Sequence, residues 1–111
     1  MDERRSLKHE SEVLLRQLDG HLARLEARRV EPELGPASRV EHELALAQRI
    51  AARLRQLIAD TVRSSAVDRA RVRAAVHYFV VRPVHLGLWV VNDILRDLGR
   101  HDLMIPEPAL S

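Results

Sequence analysis

The feature that most constrains the fold is a cluster of helix breakers at residues 31–36, where two prolines and a glycine fall within five positions. Proline and glycine at this density end a helix and turn the chain. Residues 2–30 before the cluster contain no proline and a single glycine, Gly20. A short break between two long helical stretches favours an antiparallel helical hairpin.

The first of these stretches carries an apolar row at helical spacing. Its leucines recur seven, four and seven residues apart, which places them on one helix face and is typical of a coiled-coil seam. We interpret the row as an oligomer interface, with packing inside one subunit as the open alternative. Gly20 predicts a weak point, because glycine costs about 1 kcal/mol relative to alanine inside a helix. The leucines of the row are Leu7, Leu14, Leu18 and Leu25.

The second helix is predicted from its start signal. Ser38 is placed as the N-cap, and Glu41 three residues later completes a capping box, so the helix is expected over residues 39–64. Its apolar positions follow spacings of four and three, with a second apolar flank beside them. A face this broad predicts contact with more than one neighbouring helix.

Residues 68–99 hold the densest apolar runs and the only tyrosine, phenylalanine and tryptophan of the chain. Asp68 is predicted as the N-cap of a third helix, and Pro83 as its end. A fourth helix is expected over residues 84–98, with Gly99 as the residue that follows its C-cap. The predicted fold is all-α, a long antiparallel helical hairpin followed by two shorter helices in a bundle.

The domain organisation follows from the length. A chain of 111 residues fits one domain, and we place this domain at residues 1–105, with residues 106–111 as a flexible C-terminal tail. Aromatic residues make up only 3% of the chain, so the core is predicted to consist of Leu, Val, Ile and Ala.

Three runs within residues 69–100 carry a family resemblance: Arg71-Val-Arg-Ala-Ala-Val-His-Tyr-Phe-Val80, then Val91-Asn-Asp93, then Leu98-Gly-Arg100. They resemble the YkvA-like bacterial domain of unknown function, in which an "ALxYF" helix precedes a shorter one. The Pro-Ile-Asp…Pro-Asp turn and the Gly-Tyr-Leu-Asp-Asp stretch of that family are missing from this chain. The resemblance implies a bacterial helical domain and no defined chemistry.

Composition removes several classes of function. The chain has no cysteine, which excludes a disulfide scaffold, a thiol nucleophile and a Cys-based zinc site. Its six histidines form no recognised zinc pattern, and its four glycines are too scattered for a phosphate loop. The longest uncharged run, residues 83–92, is shorter than the roughly 20 residues of a membrane-spanning helix. The sequence therefore favours a cytoplasmic protein without metal or cofactor, and it favours a non-catalytic role.

Charge is unevenly distributed along the chain. Residues 48–82 carry eight arginines against Asp60 and Asp68, a net charge of +6, whereas the segments before and after each carry −2. The pairs Glu12–Arg16 and Asp93–Arg96 have the spacing of surface ion pairs. Arginines near the start of the third helix interact unfavourably with the helix dipole, and the sequence shows no structural contact that offsets this cost. An anion-binding or nucleic-acid-binding adaptor using residues 49–82 is therefore the alternative function, with the candidate residues Arg63, Arg69, Arg71, Arg73 and Arg82.

The leading interpretation is a non-catalytic helical interaction or assembly protein that self-associates, with a homodimer as the first choice. Its apolar faces exceed what four helices of this length are expected to hide. A different protein is the second choice of partner, and nucleic acid is less favoured.

Trp89 has two interpretations: an anchor of the fourth helix in the core, which we favour, or an exposed anchor at the interface, where tryptophan is enriched.

Overall fold

The computed structural model describes residues 3–29 and 37–106, and over these residues the chain forms four α-helices and no strand. The predicted all-α class with two long and two shorter helices is therefore confirmed. The breakers at residues 31–36 and all of the predicted tail except Pro106 lie outside the described residues. The elements are α1 (Glu3–Arg29), α2 (Ala37–Thr61), α3 (Ala66–Val81), α4 (Val84–Asp97) and a 3-10 helix (His101–Leu103).

Helices α1 and α2 form the predicted antiparallel hairpin. The Gln48 Nε2 donates a hydrogen bond of 3.4 Å to the Glu26 carboxylate, and Arg55 pairs with Asp19. Later positions of α2 thus meet earlier positions of α1. Helix α1 continues through Gly20 without interruption, so the glycine does not divide it.

The core lies between all four helices and is aliphatic apart from one ring. Phe79 of α3 is only 1% exposed and is the largest fully buried side chain. Burial of this apolar surface is the main contribution to folding, at about 25 cal/mol per Å² removed from water. The other large and fully buried side chains are Leu18, Ile50, Leu54, Leu57, Val72, Val76, Leu88, Val91 and Leu95.

Two predicted N-caps are wrong. Helix α2 begins at Ala37, so Ser38 lies inside the helix. Helix α3 is capped by Ser65, whose hydroxyl accepts a 3.1 Å hydrogen bond from the backbone N–H of Asp68. Ser65 has the extended backbone that a cap requires, and Asp68 lies in the first turn, where its charge suits the helix dipole.

The predicted end of α4 is confirmed. Gly99 follows the C-cap with a φ of 73°, a conformation that glycine adopts without steric cost. Its N–H donates to the Arg96 carbonyl at 3.0 Å, and the N–H of Arg100 donates to the Leu95 carbonyl at 2.7 Å. This pair of bonds is the Schellman motif, which satisfies carbonyls left free at the helix end.

Gly87 allows α4 to approach α3 closely after the turn at Pro83. A Cβ at Gly87 would lie 3.0 Å from Cδ1 of Phe79 and 3.7 Å from its Cα. The Phe79 ring also meets the His21 ring edge-on, with centroids 5.0 Å apart. Phe79 therefore occupies the junction of α1, α3 and α4.

A buried asparagine holds the segment after α4. The Asn92 amide donates to the Ile105 carbonyl and accepts from the Ile105 N–H, both at 2.8 Å. Arg53 of α2 donates to the Leu103 carbonyl at 2.6 Å, and the Ile105 side chain is buried in the core. These contacts pack the chain onto the bundle as far as Ile105.

Alanine substitutions at two helical glycines should have opposite effects on stability. Gly87→Ala forces a methyl group against a fully buried ring. Overpacking of this kind costs about 1–3 kcal/mol and the better helix propensity of alanine returns about 1, so we expect a net loss on the order of 1 kcal/mol. Gly20→Ala meets only the end of the flexible Arg24 side chain, at 3.6 Å, and should gain up to about 1 kcal/mol.

Urea unfolding followed by circular dichroism measures both free energies, and each variant is the control for the other. An equal gain in stability for the two variants would contradict the close approach at Gly87.

Candidate functional site

The structure separates the leucines of the predicted interface. Leu14 and Leu18 lie in the core of the single chain, and Leu18 is fully buried. Leu25 is half-buried against the same core, and Leu7 is half-buried beside a small cavity between α1, α2 and α3. The central part of the row is therefore the face by which α1 packs onto its own subunit, and its two core leucines are not available to a partner.

Trp89 lies on the surface. Its side chain is 54% exposed, so the favoured interpretation of Trp89 as a core anchor is wrong. The buried face of α4 is formed by Leu88, Val91 and Leu95, and Trp89 falls outside this stripe. The Trp89 ring stands edge-on to the ring of His85, one turn earlier, with centroids 6.1 Å apart.

Two valines share this high exposure. Val81, the last residue of α3, is 74% exposed, and Val67 at the start of α3 is similarly open to solvent. Val81 lines the groove at the α3–α4 turn together with His85, whose ring contacts Trp89. Val67 lies at the opposite end of α3.

Four of the five predicted anion-binding arginines contact their own chain. Arg69 donates to the Ser64 carbonyl, Arg71 pairs with Asp97 of α4, and Arg73 pairs with Glu10 of α1 at 2.6 Å. These contacts give the arginines near the start of α3 a structural role that the sequence did not reveal. The guanidinium of Arg82 lies 5.8 Å from the Tyr78 ring centroid, and Arg63 is exposed.

One further ion pair joins α2 to the segment after α4, and another lies within α4. Arg100 pairs with Asp60 at 2.8 Å, and this hydrogen bond lowers the pKa of Asp60 below its usual value. The predicted pair Asp93–Arg96 is formed at 3.0 Å, whereas Glu12–Arg16 is not among the ion pairs of the described residues. Exposed pairs of this kind each contribute less than about 1 kcal/mol.

Two open grooves lie side by side along the seam between α1 and α3. We call the first, of about 250 Å³, the α1–α3 groove. The second, of about 560 Å³, lies at the end of the bundle around the α3–α4 turn and includes His21, Arg28 and Glu43. Val80 and Val81 line both. The residues of the α1–α3 groove are Arg16, Gln17, Gly20, Arg24, His77, Val80 and Val81.

The α1–α3 groove was not predicted from the sequence. Arg16, Gly20 and Arg24 recur every four residues on α1, and this spacing is visible in the sequence. His77 completes the groove only because of the way α3 packs against α1, and the spacing on α1 does not show this packing. Beside the groove, two buried polar atoms, Oε1 of Gln17 and Nε2 of His21, have no hydrogen-bond partner among the described residues.

The described residues include no group of three histidine, aspartate or glutamate side chains that could hold a metal ion. Within the same part of the chain, no helix combines the length and apolarity needed to cross a membrane.

His21 should make the stability of the fold depend on pH. Its burial, and then the nearby charge of Arg24, lower the pKa of His21 from the ordinary value of 6.5. As the pH falls through about 6.5, the unfolded chain takes up a proton that the folded chain resists, so stability falls. Above this pH the effect is absent. The other charged or titratable groups lining the groove that His21 enters are Arg28, Glu43, Arg82 and His85.

Urea midpoints at about pH 7.5 and pH 5.5, on either side of the ordinary histidine pKa, test this. His21→Leu should reduce the difference between the two midpoints, and His42→Leu, at an exposed position of α2, should leave it unchanged. An undiminished difference in His21→Leu would assign the pH dependence to other groups.

Comparison of the whole chain with protein-family models, with curated proteins and with solved structures finds no match in any of the three. The resemblance of residues 69–100 to the YkvA-like domain therefore stays a prediction.

Proposed function

We propose that the chain is a non-catalytic helical interaction protein that forms a homodimer through the outward face of α4. The observation that carries the proposal is the exposure of Trp89, the only tryptophan of the chain. A large aromatic side chain placed in water forgoes the stabilisation that burial would give, and tryptophan is enriched among the residues that dominate interface energies. Of the predicted interface residues, this proposal retains Trp89.

The face around Trp89 is complementary to itself. His85, Trp89 and Asp93 follow one another at intervals of four residues, about 6 Å along the helix, and all three are exposed. When two copies of α4 pack antiparallel with Trp89 near a twofold axis, His85 of each copy faces Asp93 of the other. A twofold interface requires this reciprocal pairing, because the same patch serves both subunits.

Flanking side chains extend the apolar part of this face. Leu86 and Val90 are half-buried beside Trp89 on the same helix, so a second copy would cover their remaining surface. Helix α4 has 14 residues and a length of about 21 Å. One helix face of this length falls short of the roughly 800 Å² that each partner contributes to a standard interface, so we expect a weak dimer in the micromolar range.

The alternative of an anion-binding adaptor built on residues 49–82 has less support. Arg69, Arg71 and Arg73 are engaged with their own chain, and their release to a ligand would break contacts between helices or at the α2–α3 turn. Among the candidate arginines, Arg63 and Arg82 are exposed and free of ion pairs with described residues. Arg63 lies in the α2–α3 turn and Arg82 follows the last residue of α3, so these two cations are separated by the length of α3 and do not form one anion site.

Trp89→Ala should separate assembly from folding. We expect normal helicity and an unchanged melting temperature, because the side chain lies outside the core, together with loss of the dimer in light scattering. Val67→Ala is the control, since it truncates an exposed apolar residue at the start of α3, away from the α3–α4 turn, and should leave the dimer intact.

A charge exchange tests the twofold arrangement. Asp93→Lys places a cation opposite His85 of the other copy and should weaken the dimer, and His85→Asp should weaken it by placing two acids opposite each other. The double variant His85→Asp with Asp93→Lys places opposite charges at the two positions and should recover assembly. A wild-type protein that remains a 12.7 kDa monomer at about 100 μM, well above a micromolar Kd, would remove the proposal.

A further inference from the structure

The α1–α3 groove has the charge and shape of a binding site that the proposed dimer does not use. We propose that it binds a phosphate group carried by a small, partly apolar molecule, a phosphomonoester. Arg16 and Arg24 of α1 and His77 of α3 line the groove and supply the donors. The inference is independent of the outward face of α4.

The spacing of Arg16, Gly20 and Arg24 on α1 leaves a notch at Gly20 between two cationic side chains. Arg16 and Arg24 are eight residues apart and therefore lie on one side of the helix, two turns apart. Gly20 is midway between them and has no side chain to fill the space. The Nη1 atom of Arg24 lies 3.6 Å from the position that a Gly20 Cβ would take, so the guanidinium extends over the notch.

The positive charge of the groove is not compensated locally. The described residues that line it include no carboxylate, and neither Arg16 nor Arg24 forms an ion pair with a described residue. This differs from Arg55, Arg71, Arg73, Arg96 and Arg100, each of which has a carboxylate partner. Guanidinium groups are suited to phosphate because their fixed fork of N–H donors matches two phosphate oxygens at once.

Gln17 also borders the groove, but its Oε1 is buried and is not reached from the open side. The ligand therefore contacts the two arginines and His77. A phosphomonoester suits these donors better than a carboxylate, because it presents three acceptor oxygens and a charge of about −1.5 to −2, where a carboxylate presents two oxygens and a single charge.

The size and the walls of the groove define the rest of the ligand. Its volume of about 250 Å³ lies below the 300–1,000 Å³ typical of sites for larger ligands, so it fits one phosphate with a small substituent better than a nucleotide. Val80 and Val81 form one wall, and Val81 is largely open to solvent. An apolar substituent on the phosphate would cover this valine surface.

The experiment is a titration of the full chain, in chloride buffer, with inorganic phosphate and with phenyl phosphate, followed by the backbone amide signals of Gln17, Gly20 and His77 in NMR. We expect both ligands to shift these signals and phenyl phosphate to bind several-fold more tightly than inorganic phosphate. Equal affinity would restrict the site to the phosphate group and overturn the apolar part of the proposal. No shift with either ligand at about 10 mM, a concentration that would saturate even millimolar affinity, would overturn the site itself.

A pair of charge-matched variants locates the binding. Arg16→Gln with Arg24→Gln should weaken phenyl phosphate binding at least tenfold. Arg49→Gln with Arg63→Gln removes the same charge from exposed positions of α2 and the α2–α3 turn and should change the affinity less than twofold. Equal weakening in the two double variants would show a response to net charge alone and would overturn the assignment to the groove. Circular dichroism checks that both variants keep the helicity of the wild type.

Discussion

The bundle depends most on the contact between the Phe79 ring and the backbone of α4 at Gly87. A chain with so few aromatic residues has one ring to fill the junction of three helices, and that ring requires a neighbour with no side chain. The short turn through Pro83 brings α4 back against α3 in this register. The ring edge of His21 then sets where α1 lies, so one side chain positions three helices.

Three arginines connect neighbouring helices through ion pairs. Arg55 joins α2 to α1, Arg71 joins α3 to α4, and Arg73 joins α3 to α1. Because these pairs are partly exposed, they contribute more to the relative placement of the helices than to the free energy of folding. Three arginines of the basic segment 48–82 are thus paired with acids of α1 and α4. Arg16 and Arg24 of the α1–α3 groove form no ion pair with described residues.

The sequence predicted what depends on local spacing. The four helices, the turn at Pro83 and the left-handed Gly99 all follow from periodicity and from the conformational limits of proline and glycine. Periodicity identifies the apolar face of a helix but not the helix that covers it, which is why Leu14 and Leu18 were assigned to a partner. Trp89 was misplaced because it lies within the uncharged run of residues 83–92. The polar residues His85 and Asp93, four positions to either side, mark its face as the outward one. Asn92 and Ile105 are 13 residues apart and belong to no repeat, so their pairing has no signal in a single sequence.

The Asn92 contact has a consequence for how the chain tolerates change. Its amide binds only the backbone N–H and carbonyl of residue 105, so the hydrogen bonds do not depend on a particular side chain there. Position 105 can therefore exchange one aliphatic residue for another of similar volume, provided that the backbone N–H remains. Proline lacks this donor and is the apolar residue that the position excludes, even though a proline follows directly at residue 106 and another at residue 108.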